Sequence, residues 1–323
     1  VVYIAIFILL INIIAYVFRP PKYLFEFDIV NNMPSPKSDL RLFDDKGLKI
    51  GIGCAITTRG IFEELNLNHS DGKNKTKELL SKHPLFEDLL PSFCKTASKS
   101  FIYKFFIAYD FNDPLLGTKT GYQEFQSSFK SFIKTTCQDD IKTSLQLVKC
   151  GHTHQPARAQ NDAMMAAYAD NMDYLYRVND DTQMITAGWA EAFIQTLKGF
   201  DPPNIGVLGP STTNKVSDNR YILTYEFVHR THVDIFGYYY PPVLTTWYAD
   251  DWMTHVYQPG RAVRLADVVL EHTQKLGQRY QEGGDVLSEL SELLIQGKET
   301  VRVWCDKQRN VTHTDSNIKK HTA

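Results

Sequence analysis

The sequence predicts an α/β protein built on a mostly parallel sheet with helices on both faces. Two observations point there. From Leu48 onward, apolar runs of strand length alternate with amphipathic stretches of helix length, the pattern of repeated strand–helix crossovers. Three of these strands also stop abruptly at polar groups: Thr57-Thr58-Arg59, then Asp110 with Asn112 and Asp113, then Asn179-Asp180-Asp181. In open α/β sheets the carboxyl ends of the strands are where ligands bind.

Taken in order, Leu48–Thr57 (LKIGIGCAIT) reads as a buried strand, and a helical stretch follows around Leu85–Thr96. Phe101–Tyr109 is a second strand, Glu124–Lys134 a helix and Leu145–Lys149 a short third strand. Ala157–Asn171 is a helix leading to the strand Tyr174–Val178, and a helix is expected from about Ile185 to Leu197. Ile205–Leu208 is a strand that Gly209-Pro210 should end, because proline donates no ladder hydrogen bond. Val268–His272 is a late strand. After Gln281, Val286, Leu287, Leu290 and Leu293 share one helical face, while polar Val311–Ala323 reads as a disordered tail.

The amino terminus differs in kind. Val1–Phe18 carries Asn12 as its only strongly polar side chain and ends sharply at Arg19-Pro20-Pro21-Lys22. It approaches the ~20 residues that span a bilayer, and no small-residue cleavage site follows it. Residues 20–46, with Asn31, Asn32, Pro34 and Pro36, read as a stem. The expected division is 1–19 transmembrane anchor, 20–46 stem, 47–280 a single catalytic domain, and 281–323 a carboxyl-terminal helix with a polar tail.

A net charge of −2 argues against a surface that binds nucleic acid through bulk positive charge. Sequons at Asn68, Asn74 and Asn310, two of them in a polar loop, favour a lumenal body behind the apolar segment. Five cysteines without a CxxC pair disfavour a structural zinc site. Cys137 and Cys150 flank one short segment and are either a lumenal disulfide or buried thiols.

The strand ends carry the chemistry. Adjacent carboxylates at Asp180 and Asp181 repel unless a cation accompanies them, and hard oxygen ligands suit Mg2+ or Mn2+. The competing reading is that Asn179 and Asp180 cap the next helix. Arg59 after the first strand suits a pyrophosphate, and Asp110 after the second can accept hydrogen bonds from a base or ribose. Arg158 and Asn161 lie one turn apart on one helix face, although a helix arginine is as often simply solvated. No GxGxxG or GxxxxGK[ST] occurs, which disfavours a Rossmann dinucleotide site and a P-loop. His152-Thr153-His154 lies in a Gly/Pro loop and offers two metal donors, too few to specify a site.

With these residues in order, the segment Leu48–Gln278 resembles the GT-A glycosyltransferases of the family-2-like group. The resemblance implies a GT-A-like sheet in which Thr57, Arg59, Asp110, Arg158, Asn161 and Asp180 hold a nucleotide-sugar donor. Asn179-Asp180-Asp181 is similar to the DxD motif, with Asn179 where its first acid would stand. Asp181 then matches the metal-binding acid, His272 matches a late metal-binding histidine, and the implied ion is Mn2+ (or Mg2+). Trp247-Tyr-Ala-Asp-Asp-Trp252 resembles the acid motif beside the acceptor; Asp251 is its expected general base, with Asp250 capping a helix or orienting a second hydroxyl. The competing reading for both acids is a plain helix N-cap, and for His272 a partly buried histidine. The aromatic segment Phe227–Pro242 offers faces for sugar rings, or is core in which His229 and His232 cap turns.

The implied activity is metal-dependent transfer of a sugar to a hydroxyl acceptor with inversion. The implied partners are a nucleotide-sugar donor, a glycan, glycoprotein or glycolipid acceptor, and the membrane, with no nucleic acid. The implied location is the Golgi or ER membrane, single-pass with a lumenal body. A sugar- or nucleotide-binding module with a decayed site, and a sugar nucleotidyltransferase, are the alternatives.

Overall fold

A computed structural model of the chain describes residue 45 and residues 47–64, 73–137, 139–213, 222–273 and 287–321. The expected anchor, nearly all of the stem, Asn68 and Val286 lie outside these residues. No helix among the described residues is long and apolar enough to cross a membrane.

The strands are β1 (Lys49–Ile56), β2 (Ile102–Asp110), β3 (Lys142–Cys150), β4 (Tyr174–Arg177), β5 (Thr182–Met184), β6 (Val207–Thr212), β7 (Phe227–His229) and β8 (Ala262–His272). They form one eight-stranded sheet in the order β3-β2-β1-β4-β7-β6-β8-β5. β3, β2, β1 and β4 run parallel, so their carboxyl ends share one edge. β7 is antiparallel to β4 and β6, and β5 is antiparallel to β8. The helices are α1 (Arg59–Glu64), α2 (Lys73–Ser81), α3 (Leu90–Thr96), α4 (Lys119–Thr136), α5 (Pro156–Ala169), α6 (Trp189–Lys198), α7 (Thr231–Phe236), α8 (Ala249–Val256) and α9 (Leu287–His321).

The two faces of β1 explain why helices cover both sides. Ile50, Ile52, Cys54 and Ile56 point into one core, beside Tyr103 and Phe105 of β2 and the aromatic layer of α3, α4 and α6. The intervening positions include Gly51 and Gly53. A Cβ at Gly51 would stand 2.8 Å from the Ala167 Cβ, and one at Gly53 would collide with Met164. The Ile/Gly alternation therefore leaves a shallow surface on which α5 lies through Ala163, Met164 and Ala167, in a second core that continues into α7, α8 and α9.

Several expectations are corrected. β6 runs through Gly209-Pro210 instead of ending there, and its pairing with β8 shifts register between Pro210 and Ser211. Such an irregularity is where a strand accommodates proline. The helix expected from Ile185 starts at Trp189, because Thr182–Met184 pair with β8 first. The Leu85–Thr96 stretch opens as a π turn, Leu85–Leu89, before α3; Pro91 lacks the N–H that an α-helical ladder would use there. α9 continues to His321, so most of the expected disordered tail is helical. Asn74 falls in α2 and not in a loop, and Asn310 lies in α9. Cys137 pairs with Cys94, joining α3 to the end of α4, and Cys150 is a free buried thiol.

The fit of α5 on β1 predicts that Gly51→Val overpacks the sheet. Its expected cost is about 1–3 kcal/mol, measured as a lower urea midpoint with an unchanged m-value.

Candidate functional site

The shared edge of the parallel strands gathers the polar groups singled out above. At the end of β1, Arg59 Nη1 lies 2.7 Å from Asp110 Oδ2 at the end of β2 and also donates to Thr57 Oγ1 at 3.2 Å. The His154 backbone N–H reaches the same Asp110 oxygen at 3.2 Å. Thr57, Arg59 and Asp110 are thus one half-buried cluster. Asp113 has a different task. It is buried and accepts from Thr58 N (2.8 Å), Thr58 Oγ1 (2.6 Å), Leu115 N (3.1 Å) and Leu116 N (2.9 Å). It ties the β1 and β2 ends together, leaving Asp110 as the acid that faces outward.

The end of β4 divides its three polar residues. Arg177 Nη1 donates to Asn179 Oδ1 at 3.3 Å. Asp180 is buried, its carboxylate 3.8 Å from Nε2 of buried His83. Asp181 Oδ1 lies 3.0 Å from His272 Nε2. The contact follows from register: Thr182 of β5 sits opposite His272 of β8, and Thr273 N donates to the Asp181 carbonyl at 2.9 Å. Asp88, in the π turn, fastens both sides. It accepts from Gln183 Nε2 at 2.7 Å and from Thr273 Oγ1 at 3.0 Å. Sequence reasoning brought together Asp181 and His272 but missed Asp88, which has no motif around it.

One carboxylate oxygen and one imidazole nitrogen, with the histidine side partly open to solvent, form a donor pair suited to Mn2+ better than to Mg2+, which prefers oxygen alone. The residues present fit such an ion, with further coordination left to a substrate.

A buried polar knot lies beside this edge. Arg177 Nε stands 3.1 Å from Glu226 Oε2 and donates to Tyr240 Oη at 3.0 Å, while Tyr240 Oη donates to Glu226 Oε1 at 3.0 Å. Burial pushes the Glu226 carboxyl up to about 7, against the pull of Arg177 and with Asp250 adding to the rise. Asp250 and Asp251 occupy the first turn of α8, where negative charge is favoured. Neither is the N-cap. That position is Tyr248, a non-glycine residue at φ 67° with no capping side chain. A tyrosine held there costs on the order of 1–3 kcal/mol, a form of strain that clusters at functional sites. Burial, followed by the neighbouring Asp250, pushes the half-buried Asp251 up to about 7.

Other candidates make contacts within the fold. Asn161 Oδ1 accepts from both Tyr239 N and Tyr240 N at 3.1 Å, pinning the aromatic segment to α5. Arg158 Nη1 donates to Gln155 Oε1 at 2.9 Å. Tyr239, Tyr240 and His232 are core, and His229 Nδ1 accepts from Thr231 N at 3.2 Å, so these rings are not a sugar platform. Trp247, 42% exposed, is the large aromatic just before the α8 acids that faces solvent.

No family model matches the chain, and no curated protein matches it. Solved structures returned by comparison include Staphylococcus aureus TarS (12% identity, 76% of this chain, 39% of TarS, TM-score 0.45). TarS 1–349 in complex with UDP-GlcNAc is a second (13% identity, 77% of this chain, 66% of that one, TM-score 0.44). A third is a Desulfovibrio desulfuricans G20 protein provisionally named a nucleotide-diphospho-sugar transferase (11% identity, 79% and 97% covered, TM-score 0.38). The chain thus spans less than half of TarS itself. At TM-scores below 0.5 these likenesses carry no weight beside the geometry of the site.

The Arg177–Glu226 knot gives a stability prediction. Glu226→Ala leaves a buried guanidinium without its carboxylate and should cost about 3–5 kcal/mol, measured by chemical denaturation. Asp251→Asn, at a half-buried helix start, should shift the same curve by less than about 1 kcal/mol.

Proposed function

We propose that the chain is a glycosyltransferase that moves a sugar from a nucleotide-sugar donor to a hydroxyl acceptor with inversion. The observation that carries the reading is the pairing of Asp181 with His272 at 3.0 Å, close in sequence to a strand end on the edge where Arg59 and Asp110 also gather. These groups divide the work. Arg59 offers a guanidinium to the donor diphosphate, exchanging one of its contacts with Asp110. Asp110 accepts from the ribose or base. Asp181 and His272 would hold Mn2+ (or Mg2+), which supplies Lewis-acid stabilisation of the charge on the departing diphosphate.

Asp251 is the base. A carboxylate raised to about 7 is well matched to taking a hydroxyl proton near neutral pH. As the acceptor oxygen bonds to the anomeric carbon, its proton passes to Asp251, and the carbon–oxygen bond to phosphate breaks with its electron pair leaving on the diphosphate. Trp247 offers an exposed ring face to the acceptor sugar. The Cys94–Cys137 bond supports an oxidising compartment, hence a lumenal body at the Golgi or ER membrane behind an anchor at residues 1–19.

A second reading keeps donor binding without turnover. It is favoured by Asn179, which stands where the first acid of the motif would be and accepts from Arg177. Incubation with a panel of sugar nucleotides, Mn2+ and candidate acceptors separates the two. Release of nucleoside diphosphate supports transfer, binding without release supports the module, and no binding sinks both.

Asp181→Ala should abolish that release while the thermal unfolding curve keeps its shape. EDTA should do the same reversibly, with activity restored by Mn2+; full turnover in EDTA would remove the metal from the proposal.

Asp251→Asn should lower kcat by roughly 10²–10⁴-fold with donor affinity near normal. Because the base must be unprotonated, native kcat/KM should fall tenfold per pH unit below about 7. A flat profile between pH 5 and pH 8 would assign the base elsewhere.

A further inference from the structure

The carboxyl end of β3 carries a cluster that the transferase reading does not use. Cys150 ends the strand, His152 follows in the loop, and Asp162 stands on α5. A thiol sulfur, a ring nitrogen and a carboxylate oxygen from these three all lie within 4.8 Å of one another. His152 Nε2 is 2.9 Å from Asp162 Oδ2, and its Nδ1 is buried with no hydrogen-bond partner among the described residues. Of the two loop histidines, His154 faces solvent while His152 turns inward.

We propose that Cys150, His152 and Asp162 form a binding site for a thiophilic divalent cation of the Zn2+ type, separate from the Asp181–His272 pair. The donor chemistry selects the ion. Zn2+ takes sulfur at ~2.3 Å and nitrogen or oxygen at ~2.0–2.2 Å, so donors around one ion stand roughly 3–4 Å apart. The observed cluster closes to that spacing with side-chain movements of about 1 Å. Charge balances as well: a thiolate, a carboxylate and a neutral imidazole cancel a divalent cation, which suits a site whose cysteine is buried.

A nucleophilic cysteine is the rival reading, and it fails on order. The imidazole that would serve as its base has its Nε2 engaged with Asp162 Oδ2 at 2.9 Å, not aimed at the thiol. Burial, with Asp162 adding to it, pushes the Cys150 thiol up, so without an ion it stays protonated at neutral pH. Binding replaces that proton: the sulfur–hydrogen bond gives way to a sulfur–metal bond and the proton leaves to solvent. The ion ties the β3 end, the 151–155 loop and α5 together, and that loop carries the His154 N–H that meets Asp110.

The test uses the purified full chain and Co2+ as a spectroscopic stand-in for Zn2+. The expected result is one thiolate-bound Co2+ per chain, read by its thiolate-to-metal charge-transfer absorption and displaced by Zn2+; Co2+ at Asp181–His272 has no sulfur donor and adds nothing to that band. The band should vanish in Cys150→Ser and persist in Cys54→Ser, Cys305→Ser and Asp181→Ala. His152→Ala should weaken Co2+ binding at least about tenfold. No charge-transfer band at saturating Co2+, or a band surviving Cys150→Ser, overturns the proposal. If Cys150→Ser does not fold, unchanged binding in His152→Ala and Asp162→Asn overturns it equally. The Asp181→Ala arm keeps this outcome independent of whether the chain transfers sugar.

Discussion

Everything at the site hangs from a strand that must satisfy two opposite neighbours at once. β1 is hydrogen-bonded to β2 on one side and β4 on the other, so its backbone is fully used and its side chains alone set what packs above and below. Isoleucines on one face bind it to the aromatic core, and glycines on the other let α5 approach closely. The strand can therefore neither slide nor flip without exposing isoleucine or burying a void. That fixed register aligns the ends of β1, β2 and β4, which is why Arg59, Asp110 and the Asn179–Asp181 turn open on one edge.

The edge carries more buried charge than its surface suggests. Asp113, Asp180, Asp181, Arg177 and Glu226 are all buried, and most of the partners found for them are polar groups on other elements of the fold. Asp113 closes a turn, while Arg177 and Glu226 form a knot with Tyr240. Such groups stabilise little by themselves. Their effect is to hold neighbouring acids in place, and Asp250, whose charge acts on Glu226, connects that knot to the first turn of α8.

What was legible in the sequence follows from length and burial. β1, β2 and β4 are continuous apolar runs, and α5 is long and alanine-rich, so all four were visible. β5 and β7, at three residues each, exist because of their partners and leave no local signal. Pro210 misled because a register shift absorbs it; of the two open readings for Cys137 and Cys150, the buried thiol holds for Cys150, while Cys137 finds its partner in Cys94, 43 residues before it. At the site, Arg59, Asp110 and Thr57 were readable as strand ends, while Asp181 with His272 needed the family resemblance. Asn161, expected at the donor from the resemblance, has its Oδ1 holding two backbone amides, a tie that no spacing announces. Asp88, Arg177 and Glu226 were not singled out, since a buried charge inside an apolar run looks like any strand residue until its partner is seen.

The pairing of β5 with β8 also decides when the site comes into being. Thr273 reaches the Asp181 carbonyl across 92 residues of chain and the Asp88 carboxylate across 185. Contacts so distant along the chain carry a large loop-closure entropy and form late. A chain emerging from the ribosome amino end first has β1, β2, β3 and β4 available to pair well before β8 is made. The edge that receives a ligand is thus built in two instalments, and a nascent chain lacking its last strand holds the parallel half of the sheet without the carboxylate–imidazole pair.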